Sequence, residues 1–146
     1  MTTEFEPSGE WAEELAELQL RRKLAAQMGG AEAVAKYKAR GRNTARERIA
    51  MLLDDGSFRE LGRLTGKGQY DEEGRLLGLQ AVNAIIGTGR VEGRKIVVSA
   101  DDYTIRAGSS EGTISDKWVY AERLALGQPM PLVRLVDTAG GSVKLL

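Results

Sequence analysis

The chain has 146 residues, with 21 lysines and arginines, 21 aspartates and glutamates, no cysteine and no histidine. The zero net charge gives no support for a nucleic-acid or membrane partner. The lack of cysteine and histidine excludes disulfides, thiol nucleophiles, His-based triads and His-liganded zinc. We predict no metal site. Because no apolar run approaches the ~20 residues of a membrane span and the acidic start is unlike a signal peptide, we expect a soluble, cytoplasmic protein.

The first 40 residues predict two helices. Ser8 is a good N-cap for the first helix, and Gly29-Gly30 ends it. The apolar residues of this segment recur at helical spacing and form one face, made of Trp11, Leu15, Leu18, Ala25 and Met28. A second short helix is predicted from Ala31 to about Lys38 by its content of Ala, Glu and Lys.

Charge is unevenly divided along this helical region. Residues 1–20 carry six acids and no base, whereas residues 21–48 carry nine bases and two acids. The basic part could meet an anionic ligand such as a phosphate group, or it could be the solvated surface of a helix. The sequence leaves both interpretations open.

A third helix begins at the clearest local signal of the first half, where Thr44 and Glu47 have the spacing of a capping box. This helix is predicted to run to about Leu53. Beyond it, residues 57–61 predict a short strand. The segment 62–78, rich in glycine, lysine and acids, predicts an exposed excursion.

The middle of the chain predicts a β-hairpin that leads to a strand-to-glycine junction. Two β-prone runs, 81–91 and 94–100, flank a turn at Glu92-Gly93. The second run continues through Ala107-Gly108 into a helix predicted at about residues 113–126.

A second junction of the same plan comes at the end of the chain. The apolar run Leu132 to Val136 predicts a buried strand, which stops at Asp137 and is followed by Gly140-Gly141. Residues 142–146 predict the start of a helix whose N-terminus faces the glycines. No stop signal ends this last element, so we expect the chain to be a fragment.

Three chemistries compete for these glycines. The segment Gly87-Thr88-Gly89 lacks the spacing of a dinucleotide-binding fingerprint and lies in a predicted hairpin. The D-x-x-G form of residues 137–140 resembles a GTPase element, but no G-x-x-x-x-G-K-[ST] loop precedes it. The third interpretation pairs Ala107-Gly108 with Gly140-Gly141, whose backbone N–H groups converge on one oxygen and hold the charge of an enolate or tetrahedral intermediate. A plain tight turn is the alternative.

Residues 38–58, KARGRNTARERIAMLLDDGSF, resemble a segment near the start of the carboxyltransferase subunits of biotin-dependent acyl-CoA carboxylases, of the propionyl-CoA and methylcrotonyl-CoA kind. The likeness continues in the family's order to about residue 142. It implies an α/β, crotonase-like fold (the ClpP/crotonase class) of repeated ββα units, of which this chain is the N-terminal part, preceded by helical segments. The chain then divides into a helical segment, 1–56, and the truncated start of the carboxyltransferase domain, 57–146.

The resemblance also implies a function. In this family a carboxyl group passes from carboxybiotin to the α-carbon of an acyl-CoA, and backbone amides hold the thioester enolate. Gly140 and Gly141 match the family's oxyanion turn and are the catalytic residues that the resemblance implies. Ala107 and Gly108 match an earlier glycine loop that binds substrate.

Biotin is the cofactor that the resemblance implies, carried on a partner protein or domain and not bound by these residues. The implied partners are an acyl-CoA substrate, a biotin carboxyl carrier or biotin carboxylase subunit, and further copies of the chain in a homo-oligomer. The full-length protein is then an enzyme, whereas this fragment alone is inactive. The alternative is a non-catalytic CoA-binding or assembly module on the same fold.

Two positions depart from the family's pattern. The chain has Ser142-Val143-Lys144 where the family commonly has Ala-Arg-Ile, and Arg106-Ala107-Gly108 where an aromatic residue and two glycines are more usual. These departures predict a divergent branch of the family.

Overall fold

A computed structural model of the chain describes residues 9–109 and 112–141, except for the side chains of residues 112–115. The predicted N-cap Ser8 and the helix start predicted at 142–146 lie outside these residues. The helices are α1 (Ala12–Ala26), α2 (Ala31–Lys38), α3 (Ala45–Leu52) and α4 (Gly112–Gly127), with a short 3₁₀ turn at Arg106–Gly108. The strands are β1 (Arg59–Leu61), β2 (Gly66–Tyr70), β3 (Leu76–Ala81), β4 (Ala84–Val91), β5 (Arg94–Asp101) and β6 (Leu132–Leu135).

Four of the strands form one mixed sheet in the order β1-β4-β5-β6. The first three pair antiparallel, and β6 joins β5 in parallel, with Ala100 opposite Leu135. Because β5 and β6 are parallel, a crossover must connect them, and α4 is that crossover. The arrangement β4-β5-α4 is one ββα unit, as the family resemblance implies.

Alternating side chains of the sheet bury two apolar layers, one on each face. On one face α3 packs through Ile49 against Ile85, Ile96 and Val98. On the other face α4 packs through Ala121 and Ala125 against Ile86 and Val97. Since α3 contributes to the core of the sheet, the helical region and the strands are packed together. The division at residue 56 stays a prediction.

The capping box predicted at the start of α3 is confirmed. The hydroxyl of Thr44 accepts a hydrogen bond from the backbone N–H of Glu47 at 3.2 Å, and the Glu47 carboxylate accepts one from the Thr44 N–H at 2.8 Å. These reciprocal bonds satisfy two backbone donors at the helix start. The β4-β5 hairpin is also confirmed, with Asp54 accepting hydrogen bonds from the turn amides of Glu92 and Gly93.

The structure refines two local predictions. The segment 62–78 is mostly exposed, as predicted, but it also has regular structure, because β2 within it pairs antiparallel with β3 in a separate two-stranded sheet. Trp11 does not belong to the packed face of α1, since its side chain is 64% exposed, whereas Ala25 near the other end of the helix is buried. Within the described residues, no helix has the length and apolar character needed to cross a membrane.

Candidate functional site

The two predicted glycine junctions lie at the same edge of the sheet. The parallel strands β5 and β6 run side by side, and both junctions follow their C-terminal ends. In open α/β sheets this edge is where ligands bind. The parallel pairing therefore brings together two segments that are about 30 residues apart in sequence.

The first junction is a tight left-handed turn. Arg106, Ala107 and Gly108 have φ angles of 49°, 52° and 65°, a region that costs energy for residues other than glycine. The turn is closed by the Gly108 N–H, which donates to the Ile105 carbonyl at 3.0 Å, and by the Ser109 N–H, which donates to the Arg106 carbonyl at 3.1 Å. Such strain persists only where surrounding contacts enforce it.

Asn83, the residue just before β4, makes some of the contacts that hold this turn. Its buried side-chain NH₂ group donates to the Ser109 carbonyl at 2.8 Å, while its backbone carbonyl accepts from the Asp102 N–H at 2.9 Å. Asp102 in turn accepts hydrogen bonds from the backbone N–H and hydroxyl of Thr104. Burial raises the pKa of the Asp102 carboxyl, while the Thr104 bonds lower it. Both ends of the strained turn are thus fixed.

The second junction contacts the first directly. The Ala139 N–H donates to the Ala107 carbonyl at 2.9 Å. Gly108 packs so closely on the next segment that a Cβ at this position would overlap the Asp137 carbonyl oxygen and lie 3.1 Å from Thr138 Cα. The structure therefore brings the two predicted junctions together, which sequence spacing alone did not establish.

Gly140 and Gly141 lie on the exposed side of this contact. Gly140 has a φ of 108°, and a Cβ added to it would meet no atom of residues 9–109 or 112–141 within 4 Å, leaving aside the side chains of 112–115. Its N–H donates to the Thr138 hydroxyl at 3.0 Å. Among the described residues, none closes off Gly140, and its amide is held by a threonine hydroxyl that can rotate.

Asp137 anchors the second junction to the helical segment. Its carboxylate accepts a hydrogen bond from the Tyr37 hydroxyl and lies 3.2 Å from the Arg42 guanidinium and 3.7 Å from that of Arg48. The Asp137 N–H donates to the carboxylate of Asp101 at 3.2 Å. The carboxylate thus has partners within the protein, whereas the GTPase interpretation needs it for magnesium.

Two arginines of the basic segment, residues 21–48, also bind partners within the chain. Arg46 forms two hydrogen bonds with the carboxylate of Glu60, at 2.9 and 3.1 Å, and Arg48 donates to the carbonyls of Leu135 and Asp101. These arginines bind groups of this chain, which leaves them less available to an anionic ligand. Arg40 is exposed.

Lys117 of α4 is buried beside the sheet. Its Nζ donates to the Ala84 carbonyl at 2.7 Å. Burial lowers the pKa of Lys117 to about 8, and the nearby Glu60 carboxylate opposes this effect. Because an unfolded lysine titrates near 10.5, the unfolded chain binds the proton more tightly than the folded protein between these two values. Stability must therefore rise as the pH increases from about 8 to 10.5.

Replacing Lys117 by methionine should remove this pH dependence. The free energy of unfolding of the unsubstituted protein, relative to the variant, is expected to increase by about 2 kcal/mol between pH 7 and pH 10. Urea unfolding at several pH values measures the difference, with the exposed Lys95→Met as a control that leaves the pH dependence unchanged. A constant difference between the Lys117 variant and the unsubstituted protein would contradict the perturbed titration.

Sequence reasoning found the glycines of the site but missed the side chains that hold them. Asn83 bonds to Ser109 just after the first junction, whereas Tyr37 and Arg48 approach the Asp137 carboxylate at the start of the second. One signal was available: Asp137 directly follows an apolar strand, so its carboxylate needs partners. The sequence does not show which residues provide them.

Comparison with known proteins finds matches among carboxyltransferases. The sequence profile of a family described as "Carboxyl transferase domain" matches residues 36–145. The propionyl-CoA carboxylase beta chain of Saccharopolyspora erythraea is 37% identical over 138 residues, which cover 91% of this chain and 24% of that protein. The biotin-dependent 3-methylcrotonyl-coenzyme A carboxylase beta1 subunit of Mycobacterium tuberculosis is 38% identical over 125 residues, which cover 84% of this chain and 23% of that protein.

Solved structures show the same likeness. The transcarboxylase 12S crystal structure with methylmalonyl-coenzyme A and methylmalonic acid bound matches with a TM-score of 0.78 and 27% identity, covering 93% of this chain and 27% of that one. The α/β, crotonase-like fold class implied by the resemblance is thus confirmed. The chain spans about a quarter of the length of the curated relatives it matches.

Proposed function

This chain belongs to the carboxyl transferase domain family, and from this premise we propose that it is the N-terminal part of an acyl-CoA carboxyltransferase. The proposed reaction transfers a carboxyl group from carboxybiotin to the α-carbon of an acyl-CoA. The observation that carries the proposal is the hydrogen bond from Ala139 to Ala107, which joins the two glycine junctions at the ligand-binding edge of the sheet.

In the proposed site, backbone amides hold the thioester oxygen when it becomes an enolate. Gly140 and Gly141 supply the catalytic amides, and Ala107 and Gly108 shape the substrate-binding side of the pocket. The Gly140 N–H now bonds to the Thr138 hydroxyl, which can rotate away when a substrate oxygen replaces it. Fixed amides of this kind stabilise developing negative charge without needing a side-chain acid or base, which suits a chain that lacks histidine and cysteine.

Biotin, the cofactor of the proposed reaction, is brought to this site by a carrier and is not bound by these residues. We place biotin on a partner protein or domain, from which it approaches the glycine turn, whose described residues 138–141 are exposed. When bound, carboxybiotin supplies the carboxyl group. The matched M. tuberculosis relative is named biotin-dependent, and the transcarboxylase 12S structure is described as a hexamer assembly, which supports a carrier partner and a homo-oligomer. A cytoplasmic location stays a prediction.

A non-catalytic CoA-binding or assembly module on the same fold is the second candidate. Titration of the full-length protein with propionyl-CoA and 3-methylcrotonyl-CoA, with and without a carboxylated biotin carrier, separates the two. A carboxyltransferase forms carboxylated acyl-CoA only when the carrier is present. Binding of the acyl-CoA without any carrier-dependent product would overturn the proposed reaction in favour of the module.

A further inference from the structure

One side chain of α2 contacts the two chain segments that lead into the glycine junctions. The Tyr37 ring stacks on the ring of Tyr103, with 5.5 Å between centroids and 27° between planes. Tyr103 lies in the turn that leads into the strained Arg106–Gly108 segment. The Tyr37 hydroxyl donates to the carboxylate of Asp137, which begins the second junction. Tyr37 therefore spans the two segments that the proposed site depends on.

The Tyr37 side chain is held firmly enough to fix the distance between the segments that carry Tyr103 and Asp137. Its side chain is only 5% exposed, and buried aromatic rings have few accessible rotamers. Burial and the bond to Asp137 raise the pKa of the Tyr37 hydroxyl, so the hydroxyl keeps its proton and remains a donor at neutral pH. A tyrosine that only filled the core would not need its hydroxyl on a carboxylate at this edge.

The other two partners of Asp137 do not replace this contact. The Arg42 side chain is 57% exposed, so its ion pair is screened by water. Arg48 lies 3.7 Å from the Asp137 carboxylate and already donates to two backbone carbonyls. Of the three, Tyr37 is the residue whose side chain also stacks on the segment before the first junction.

We propose that Tyr37 is a positioning residue that sets the spacing between the Ala107-Gly108 and Gly140-Gly141 junctions, and so makes the N-terminal helical segment part of the carboxyl-transfer site. This inference rests on the proposed function. Tyr37 acts through Asp137 and Tyr103 and does not itself contact the reacting atoms. A displacement of about 1 Å in such an arrangement is enough to slow chemistry by up to ~10²-fold.

The test is Tyr37→Phe in the full-length protein, because phenylalanine keeps the stacked ring and removes only the hydroxyl. We expect kcat for carboxylation to fall about tenfold, with the KM for acyl-CoA and the thermal unfolding midpoint nearly unchanged. Tyr120→Phe is the matched control, since the Tyr120 side chain is 54% exposed on α4. In the double variant with Asp137→Ala, the two effects should not add, because each substitution removes one partner of the same hydrogen bond.

Hydrogen–deuterium exchange gives a readout that does not depend on activity. In Tyr37→Phe, a peptide covering residues 137–141 should exchange several-fold faster, because the Ala139 N–H bond to Ala107 loosens. Other peptides should keep their rates. Unchanged exchange in this peptide, or a kcat equal to that of the unsubstituted protein, would overturn the inference. If the unsubstituted protein carboxylates no acyl-CoA, the proposed function fails, while the exchange result still decides the role of Tyr37.

Discussion

The Gly108→Val variant is expected to lose carboxyl transfer almost completely, with kcat lowered by about 10²-fold or more. A Cβ at this position would overlap the Asp137 carbonyl oxygen and lie 3.1 Å from Thr138 Cα. Both are backbone atoms, so relief requires the two junctions to separate. The φ of 65° adds strain, because a β-branched residue strongly disfavours this region. Together these effects should also lower the free energy of unfolding by about 3 kcal/mol.

A second glycine-to-valine variant, with a similar backbone clash away from the junctions, shows whether lost stability alone explains the lost activity. At Gly66 in β2 a Cβ would lie 2.5 Å from the Gln80 carbonyl oxygen, in the two-stranded sheet that lies apart from the sheet carrying the junctions. Gly66→Val should therefore destabilise the protein while kcat of the folded fraction stays near normal. Chemical unfolding and steady-state kinetics on both variants test this. Equal kcat values for the two variants would show that the contact at Gly108 does not govern the chemistry.

The elements that could be predicted from the sequence are those with local signals. The capping box at Thr44 and the two-residue turn at Glu92-Gly93 specify their structures within a few residues. The strand β2 could not be found this way, because its sequence Gly-Lys-Gly-Gln-Tyr has little β propensity. It is ordered by pairing with β3 and by the guanidinium of Arg21 in α1, which lies 5.6 Å from the ring centroid of Tyr70.

The same division holds at the candidate site. The glycines at 108 and 140 were predictable because each follows a β-prone run by a few residues. The contact that joins their segments depends on the parallel pairing of β5 with β6. Tyr37 meets Asp137 across 100 residues of sequence, and no local period encodes such a contact. The shared plan of the two junctions was enough to suggest their pairing, but the side chains that hold them come only from the structure.

Replacing Gly140 by valine is expected to lower kcat strongly and stability only slightly. This is the reverse of the result expected for Gly66→Val. A Cβ at Gly140 would meet no atom of the described residues within 4 Å, so the valine side chain would occupy the space through which the proposed ligand reaches the turn. The backbone φ of 108° also penalises any side chain. We expect kcat for carboxylation to fall about 10²-fold, the scale of losing one oxyanion donor, while the free energy of unfolding falls by only about 1–2 kcal/mol.

Gly74 provides a control, because its backbone also has a positive φ and its surroundings also leave room for a side chain. It has a φ of 80°, a Cβ there would also meet nothing within 4 Å, and it lies in the turn between β2 and β3. Gly74→Val should therefore show the same small loss of stability as Gly140→Val, because both substitutions force a β-branched residue into a positive φ. Its kcat should stay unchanged, because no proposed ligand approaches this turn. If both variants keep full activity, the amides of the Gly140-Gly141 turn do not hold the enolate, and the glycines serve only to turn the chain.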